Sequence, residues 1–200
     1  MSGCLFMRLA LRDTRIKRVV HKCGARCRFV IIAGHQRKSP ANQLQAVRGR
    51  MIVQLPLDVC CLNRPFDDQT QERVRNEATA VKAIHRDIDS RRWSLVTSEI
   101  IAAEISRTRD PDRQEKLEQA ISAASRTVRV EVDEISRASE LIALGFRPAD
   151  ALHIACAETA KVDVLLTTDD RLVRRARRLS ANLKVRVANP VDWLQEVENP

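Results

Sequence analysis

The feature that most constrains this chain is an alternation that begins at residue 51. Short apolar runs, IVQLPL (52–57), WSLVT (93–97), TVRVEV (127–132), VDVLL (162–166) and VRVA (185–188), are separated by segments with helical patterning. Parallel neighbours need a long crossover, and a helix of ten or more residues supplies one. Strands joined in this way predict a central parallel sheet with helices on both faces, a three-layer α/β/α domain. VDVLL is apolar almost throughout, as expected for a strand buried on both sides.

The helical segments carry their own signals. In residues 69–91, Val74, Ala78, Val81, Ile84 and Ile88 recur in steps of three and four, the mark of an amphipathic helix. Asp67 or Asp68 is expected to cap it, after a loop spanning CLNRPFDD. A helix opens with IIAAEI after Ser98 and runs to about Arg107, and Asp110-Pro111 starts the next. Asp133 is expected to cap EISRASELIALG, with Gly145 as its stop, and Pro148 opens ADALHIACAETA. RLVRRARRL is the last predicted helix, and Pro190 introduces a closing turn. Pro56 lies inside the first predicted strand, where it deletes a ladder donor and predicts a bulge or a weakened strand.

The formal charge of +9 is unevenly distributed. Residues 1–50 hold 12 Lys and Arg against Asp13 alone, whereas residues 51–200 hold 23 basic and 25 acidic residues. The high isoelectric point therefore belongs to an N-terminal extension and not to the α/β domain. The extension has little periodicity and is expected to be disordered. It reads as upstream sequence ahead of a start at Met51, with a nucleic-acid-binding arm or an organelle transit segment as alternatives. Its longest apolar run, FVIIA, is far below the roughly 20 residues that a membrane span requires. His21, Cys23, Cys27 and His35 do not have the spacing of a structural zinc site. With no secretory signal and no disulfide framework, the expected compartment is the cytoplasm.

In open parallel sheets, ligands gather at the carboxyl ends of the strands. Asp58 ends the first predicted strand, Ser98 and Glu99 the second, and Asp169 and Asp170 the fourth. Asp150 lies in the first turn of one helix and Glu104 a turn and a half into another. Three or four acids at one sheet edge suit a hard divalent cation such as Mg²⁺ or Mn²⁺. Each acid alone has an ordinary structural reading, as a helix cap, a turn former or a solvated charge.

Together, LDVCCLNRPFDD, TSEIIAAEI, ADALHIACAE and LLTTDD resemble the four acidic motifs of PIN-domain proteins, in their usual order. The resemblance covers Met51 to about Leu194 and implies the PIN fold over residues 51–200. It implies a metal-dependent nuclease similar to the VapC-like ribonuclease toxins of bacteria. Residue by residue, it makes Asp58, Glu104, Asp150 and Asp169 the catalytic acids and metal ligands, with Glu99 an outside candidate for the second. It gives Ser98 an orienting role and leaves Asp170 to begin the helix. Two positions depart from the pattern. Cys60 stands where the family often has Asn or Ser, with Asn63 a candidate substitute, and Pro56 interrupts the first strand.

The implied reaction is hydrolysis of an RNA phosphodiester by water activated at the bound cation. Arg64, Arg171, Arg174 and Arg175 are candidate phosphate contacts, which would make RNA binding salt-dependent. The resemblance further implies a homodimer and an antitoxin that covers the acidic site. The competing reading, supported by Cys60 and Pro56, is a PIN-like module that binds RNA or protein without cutting.

Overall fold

The structure is a computed structural model and describes residues 53–199. The basic extension, its candidate zinc ligands and the alternative start at Met51 lie outside the described residues. Five short strands, β1 (Val53–Leu55), β2 (Trp93–Ser98), β3 (Arg126–Val128), β4 (Val164–Leu166) and β5 (Arg186–Ala188), are all parallel. Their order is β3-β2-β1-β4-β5, the two blocks being joined by a parallel bridge between Leu57 and Leu166. The order thus reverses at β1, which has β2 on one side and β4 on the other. That junction is where an open α/β sheet leaves a crevice at its carboxyl edge.

Alternation along the strands divides the core into two layers. Leu55, Leu57, Leu95, Val164 and Leu166 face α1 (Val59–Asn63), α2 (Glu72–Asp89), α3 (Glu99–Ile105), α4 (Pro111–Ser122) and α8 (Pro190–Glu198). Val96, Val128 and Leu165 face α5 (Val132–Ala143), α6 (Pro148–Ala160) and α7 (Asp170–Arg178). Neighbours in sequence, such as Leu165 and Leu166, therefore enter opposite cores, and the predicted three-layer arrangement is realised. Trp93 and Trp193 are both buried, in an edge-to-face contact with ring centroids 4.7 Å apart in the first core. They belong to packing and not to a base-stacking surface.

Several local expectations are corrected. Much of the segment 61–68, expected as loop, is instead ordered as the end of α1 and a 3-10 turn at Arg64–Phe66. The Asp58 carbonyl accepts from the N–H groups of Cys61 and Leu62, and those two side chains are buried. Five residues are too few for a periodic pattern to register. Helix α2 begins at Glu72 with neither Asp67 nor Asp68 as its cap. Asp68 instead accepts from the Thr70 N–H at 3.0 Å, and Asp67 pairs with Arg64 and Arg113, each at 3.1 Å. Glu131, not Asp133, precedes α5, and its N–H donates to Glu134 Oε2 at 2.9 Å. The expected turn at Pro190 is helix α8, which Asn189 caps by accepting from the Val191 N–H at 2.9 Å.

Gly145 ends α5 as expected, with φ at +91°. A β-carbon there would also meet the Arg175 guanidinium, which donates to the Leu144 carbonyl at 3.2 Å. Pro56 shortens β1 to three residues without severing it from β4. Its carbonyl accepts from the Leu166 N–H at 3.1 Å, and the Asp58 N–H donates to the Leu166 carbonyl at 3.0 Å. Asp58 is therefore delivered to the sheet edge by a ladder that resumes beyond the proline.

Candidate metal centre

Four elements converge at the junction of β1 and β4. Asp58 follows β1, Glu104 stands near the end of α3, Asp150 and His153 lie on α6, and Thr167 to Asp169 follow β4. One donor atom from each of Asp58, Glu104 and His153 lies within 4.8 Å of the other two. His153 Nε2 is 3.3 Å from each Glu104 carboxylate oxygen and 3.7 Å from Asp58 Oδ1. Asp150 and His153 are three apart on α6 and so share a face, which brings both toward the edge.

Asp58 is held from two sides. Thr167 Oγ1 donates to its Oδ2 at 2.8 Å, and the Cys60 thiol donates to the same oxygen at 3.1 Å. Cys60 Sγ in turn accepts from the Thr168 N–H at 3.3 Å. The thiol at the departing position is therefore part of the hydrogen-bonded wall behind Asp58. Cys60, Cys61 and Cys156 are all free thiols.

The electrostatics indicate excess negative charge. Burial pushes the Asp150 carboxyl up, and the charges of Asp169 and Asp58 push it further, against smaller opposing effects of His153 and Arg147. For His153, burial pulls the imidazole down, but the Glu104 carboxylate bonded to it and the Asp58 charge raise it overall. The buried imidazole thus stands beside two carboxylates. The donor set suits a divalent cation: hard carboxylate oxygens dominate, and their mutual repulsion is relieved by positive charge.

The other expected residues fall in varied places. Asp169 caps α7, its Oδ1 accepting from the Arg171 N–H at 2.7 Å and the Leu172 N–H at 3.4 Å. Asp170 begins α7 as expected, but its carboxylate pairs with both terminal nitrogens of Arg73, at 2.5 and 2.6 Å. That pairing holds Asp170 below the ordinary carboxylate range. Glu99, the outside candidate, accepts from the Val130 N–H at 2.9 Å and is tied to the chain after β3. Asn63 donates to the Val59 carbonyl at 3.0 Å, within α1. Ser98 is buried, and its hydroxyl has only the weak Cys156 thiol beside it.

Among the arginines, Arg64 is engaged by Glu77 at 2.6 Å and by Asp67, and Arg175 by the Leu144 carbonyl. Arg171 and Arg174 remain largely exposed beside Asp169 and Asp170. Sequence reasoning missed His153, Thr167 and Glu77. Glu77 is 2% exposed and accepts from Arg64 and Asn189, which fastens the segments after β1 and β5 to α2, and from Arg73, which continues to Asp170 after β4.

A family model described as the PIN domain matches residues 69–178. The chain belongs to the PIN-domain family. Asp58 lies ahead of the matched segment of this PIN domain, while Glu104, Asp150 and Asp169 lie inside it. No curated protein matches the chain. Among solved structures, it is similar to VapBC2 from Rickettsia felis bound to a DNA fragment from their promoter. That match has 13% identity and a TM-score of 0.45, covering 68% of this chain and 98% of the other. It is also similar to PAE2754 from Pyrobaculum aerophilum, at 18% identity and a TM-score of 0.45, covering 76% and 94% of the two chains. Among the described residues, no helix is long and apolar enough to cross a membrane.

Proposed function

We propose that this PIN-domain chain is a ribonuclease that hydrolyses RNA phosphodiester bonds with Mg²⁺ or Mn²⁺. The observation that carries the reading is the gathering of Asp58, Glu104 and His153 at one sheet edge, with Asp150 and Asp169 adding charge there. Asp58, Glu104, Asp150 and Asp169 are the residues that would hold the cation. When bound, it supplies positive charge that lowers the pKa of water and offsets charge on the phosphate oxygens.

The chain's own groups have separable tasks. Thr167 and Cys60 fix the Asp58 carboxylate from behind, leaving Oδ1 toward His153. The His153 imidazole orients Glu104, and the N-terminus of α7 orients Asp169. Arg171 and Arg174 are exposed next to the acids, where they can meet the RNA backbone and offset its repulsion by the carboxylates. In this reading Ser98 has the orienting role that the resemblance gives it, toward a carboxylate or water.

The resemblance of the four motifs to VapC-like proteins supports a narrower role. In it, the chain is the toxin of a toxin–antitoxin pair in the cytoplasm, forms a homodimer and is silenced by an antitoxin over the acidic edge. Induced expression in a bacterial host tests this. Wild type should arrest growth with fragmented RNA, and Asp150→Asn, made at the same level, should do neither. Equal arrest by the two proteins would contradict the reading.

A further inference from the structure

A small cavity lies directly behind the acidic edge. It measures about 10 Å³ and is lined by Thr97, Ser98, Cys156 and His153, with Pro56, Val96 and Leu165 among its apolar walls. Thr97 Oγ1 and His153 Nδ1 are buried and have no hydrogen-bond partner, and the buried Ser98 Oγ has only the weak Cys156 thiol beside it. Their residues are only 5%, 5% and 3% exposed. A cavity of roughly 10–15 Å³ accommodates one water, provided that two to four polar groups surround it. Three of the residues that line this one carry such groups, and leaving them unsatisfied would be costly for the fold.

The opposite edge of the same imidazole faces the carboxylates. A four-coordinate cation with bonds of about 2.0–2.2 Å keeps its ligands about 3.3–3.6 Å apart, whereas octahedral Mg²⁺ at about 2.0–2.1 Å keeps adjacent ligands about 3 Å apart. His153 Nε2 stands 3.3 Å from Glu104 Oε2 and 3.7 Å from Asp58 Oδ1. Both separations lie nearer the four-coordinate spacing than the octahedral one, and the three donor atoms all lie within 4.8 Å of one another. Imidazole nitrogen is also a ligand that favours zinc-like cations over magnesium. A metal-binding histidine normally donates its other N–H to a fixed partner, which sets the tautomer and aims the ring.

We propose that His153 Nε2, Asp58 and Glu104 form a zinc-binding site, with His153 aimed by one buried water that links its Nδ1–H to the hydroxyls of Thr97 and Ser98. The inference rests on the reading of this edge as a cation site and deepens it. Zinc competes there with the Mg²⁺ or Mn²⁺ needed for cleavage, so its level sets how much of the nuclease is available. Thr97, Ser98 and the water are positioning groups that act through His153.

Displacement of Mn²⁺ from the full-length protein tests the proposal, with the EPR signal of Mn²⁺ as the readout, so that zinc bound elsewhere on the chain does not register. Zinc should displace Mn²⁺ from wild type at a concentration about 100-fold lower than from His153→Gln, after correction for each protein's own Mn²⁺ affinity. Thr97→Val, which removes one hydroxyl from the cavity, should raise the zinc midpoint about tenfold. If both variants fold, bind Mn²⁺ and lose it at the wild-type zinc midpoint, the proposal is overturned while the cation reading stands. If His153→Gln does not fold, an unchanged midpoint in Thr97→Val overturns it alone. Failure of folded wild type to bind Mn²⁺ removes both the proposal and the cation reading.

Discussion

Thr167 Oγ1 donates to Asp58 Oδ2 across 2.8 Å, joining the carboxyl end of β4 to that of β1 over a separation of 109 residues. The same hydroxyl oxygen accepts from the Asp169 N–H at 3.1 Å. One buried side chain therefore sets the spacing of two acids from different strands. Thr167→Val keeps the shape and removes both contacts. It should cost about 1–2 kcal/mol in chemical denaturation. RNA cleavage should fall about tenfold or more, since misplacing a catalytic group by an ångström has effects of that order or larger. Unchanged cleavage by a destabilised variant would separate Thr167 from the site.

Asp150 gives a pH signature in the cation-free protein. Its folded pKa is raised, chiefly by burial and then by Asp169 and Asp58, so the native state holds a proton more tightly than the unfolded chain. The favourable contribution is complete below the ordinary carboxylate value and is lost as pH rises through the raised one. In EDTA, wild-type stability should therefore decline across that window, and Asp150→Asn should remove the decline and melt at higher temperature near neutral pH. Adding Mg²⁺ should raise the Tm of wild type more than that of the variant. A variant that melts lower in EDTA and gains as much from Mg²⁺ would contradict the assignment.

Glu77 is the buried anchor of the network beneath the edge. Its two oxygens take Arg64 at 2.6 Å, Arg73 at 3.0 Å and Asn189 at 2.9 Å, and Arg73 continues to Asp170. Removing one partner of a buried ionic network typically costs about 3–5 kcal/mol, and the partial exposure of both arginines places the loss for Glu77→Ala nearer about 3 kcal/mol. Equilibrium unfolding in urea measures it. A loss under about 1 kcal/mol would indicate that the arginines are rescued by water.

Arg171 and Arg174 lie on the exposed side of α7 beside the acids. If they contact RNA backbone, replacing both by alanine should lower affinity for single-stranded RNA. The slope of log affinity against log salt should become shallower by about 1.4, from about 0.7 per phosphate contact. Arg175→Ala should leave that slope unchanged, because the Arg175 guanidinium is bound at the end of α5. Equal effects at all three positions would mean that general charge, and not this surface, governs binding.

The layers of the fold were readable because β4 is apolar on both faces and the long helices are periodic, as Val74 to Ile88 illustrate. Short elements were not. α1 spans five residues and draws its stability from burying Cys61 and Leu62, a tertiary effect without a local pattern. Asp58, Glu104 and Asp150 were legible as strand-end and helix-face positions. Asp170 was legible as the start of α7, but its pairing with Arg73, almost a hundred positions away in sequence, was not, nor was the capping of α7 by the Asp169 side chain. His153 carried a usable signal, three residues after Asp150 on one helical face. Its contact with Glu104 depended on how α3 packs near α6, which spacing alone does not reveal.

The central claim is that the Asp58 edge cuts RNA through a bound divalent cation. The most direct measurement is cleavage of a mixed single-stranded RNA pool by the full-length protein in Mg²⁺ or Mn²⁺ and in EDTA, with Asp58→Asn in parallel. The account predicts cleavage with either metal, none in EDTA, and a loss of about 100-fold or more in Asp58→Asn while its fold is retained. Cleavage that persists in EDTA, or that is equal in wild type and Asp58→Asn, would contradict it.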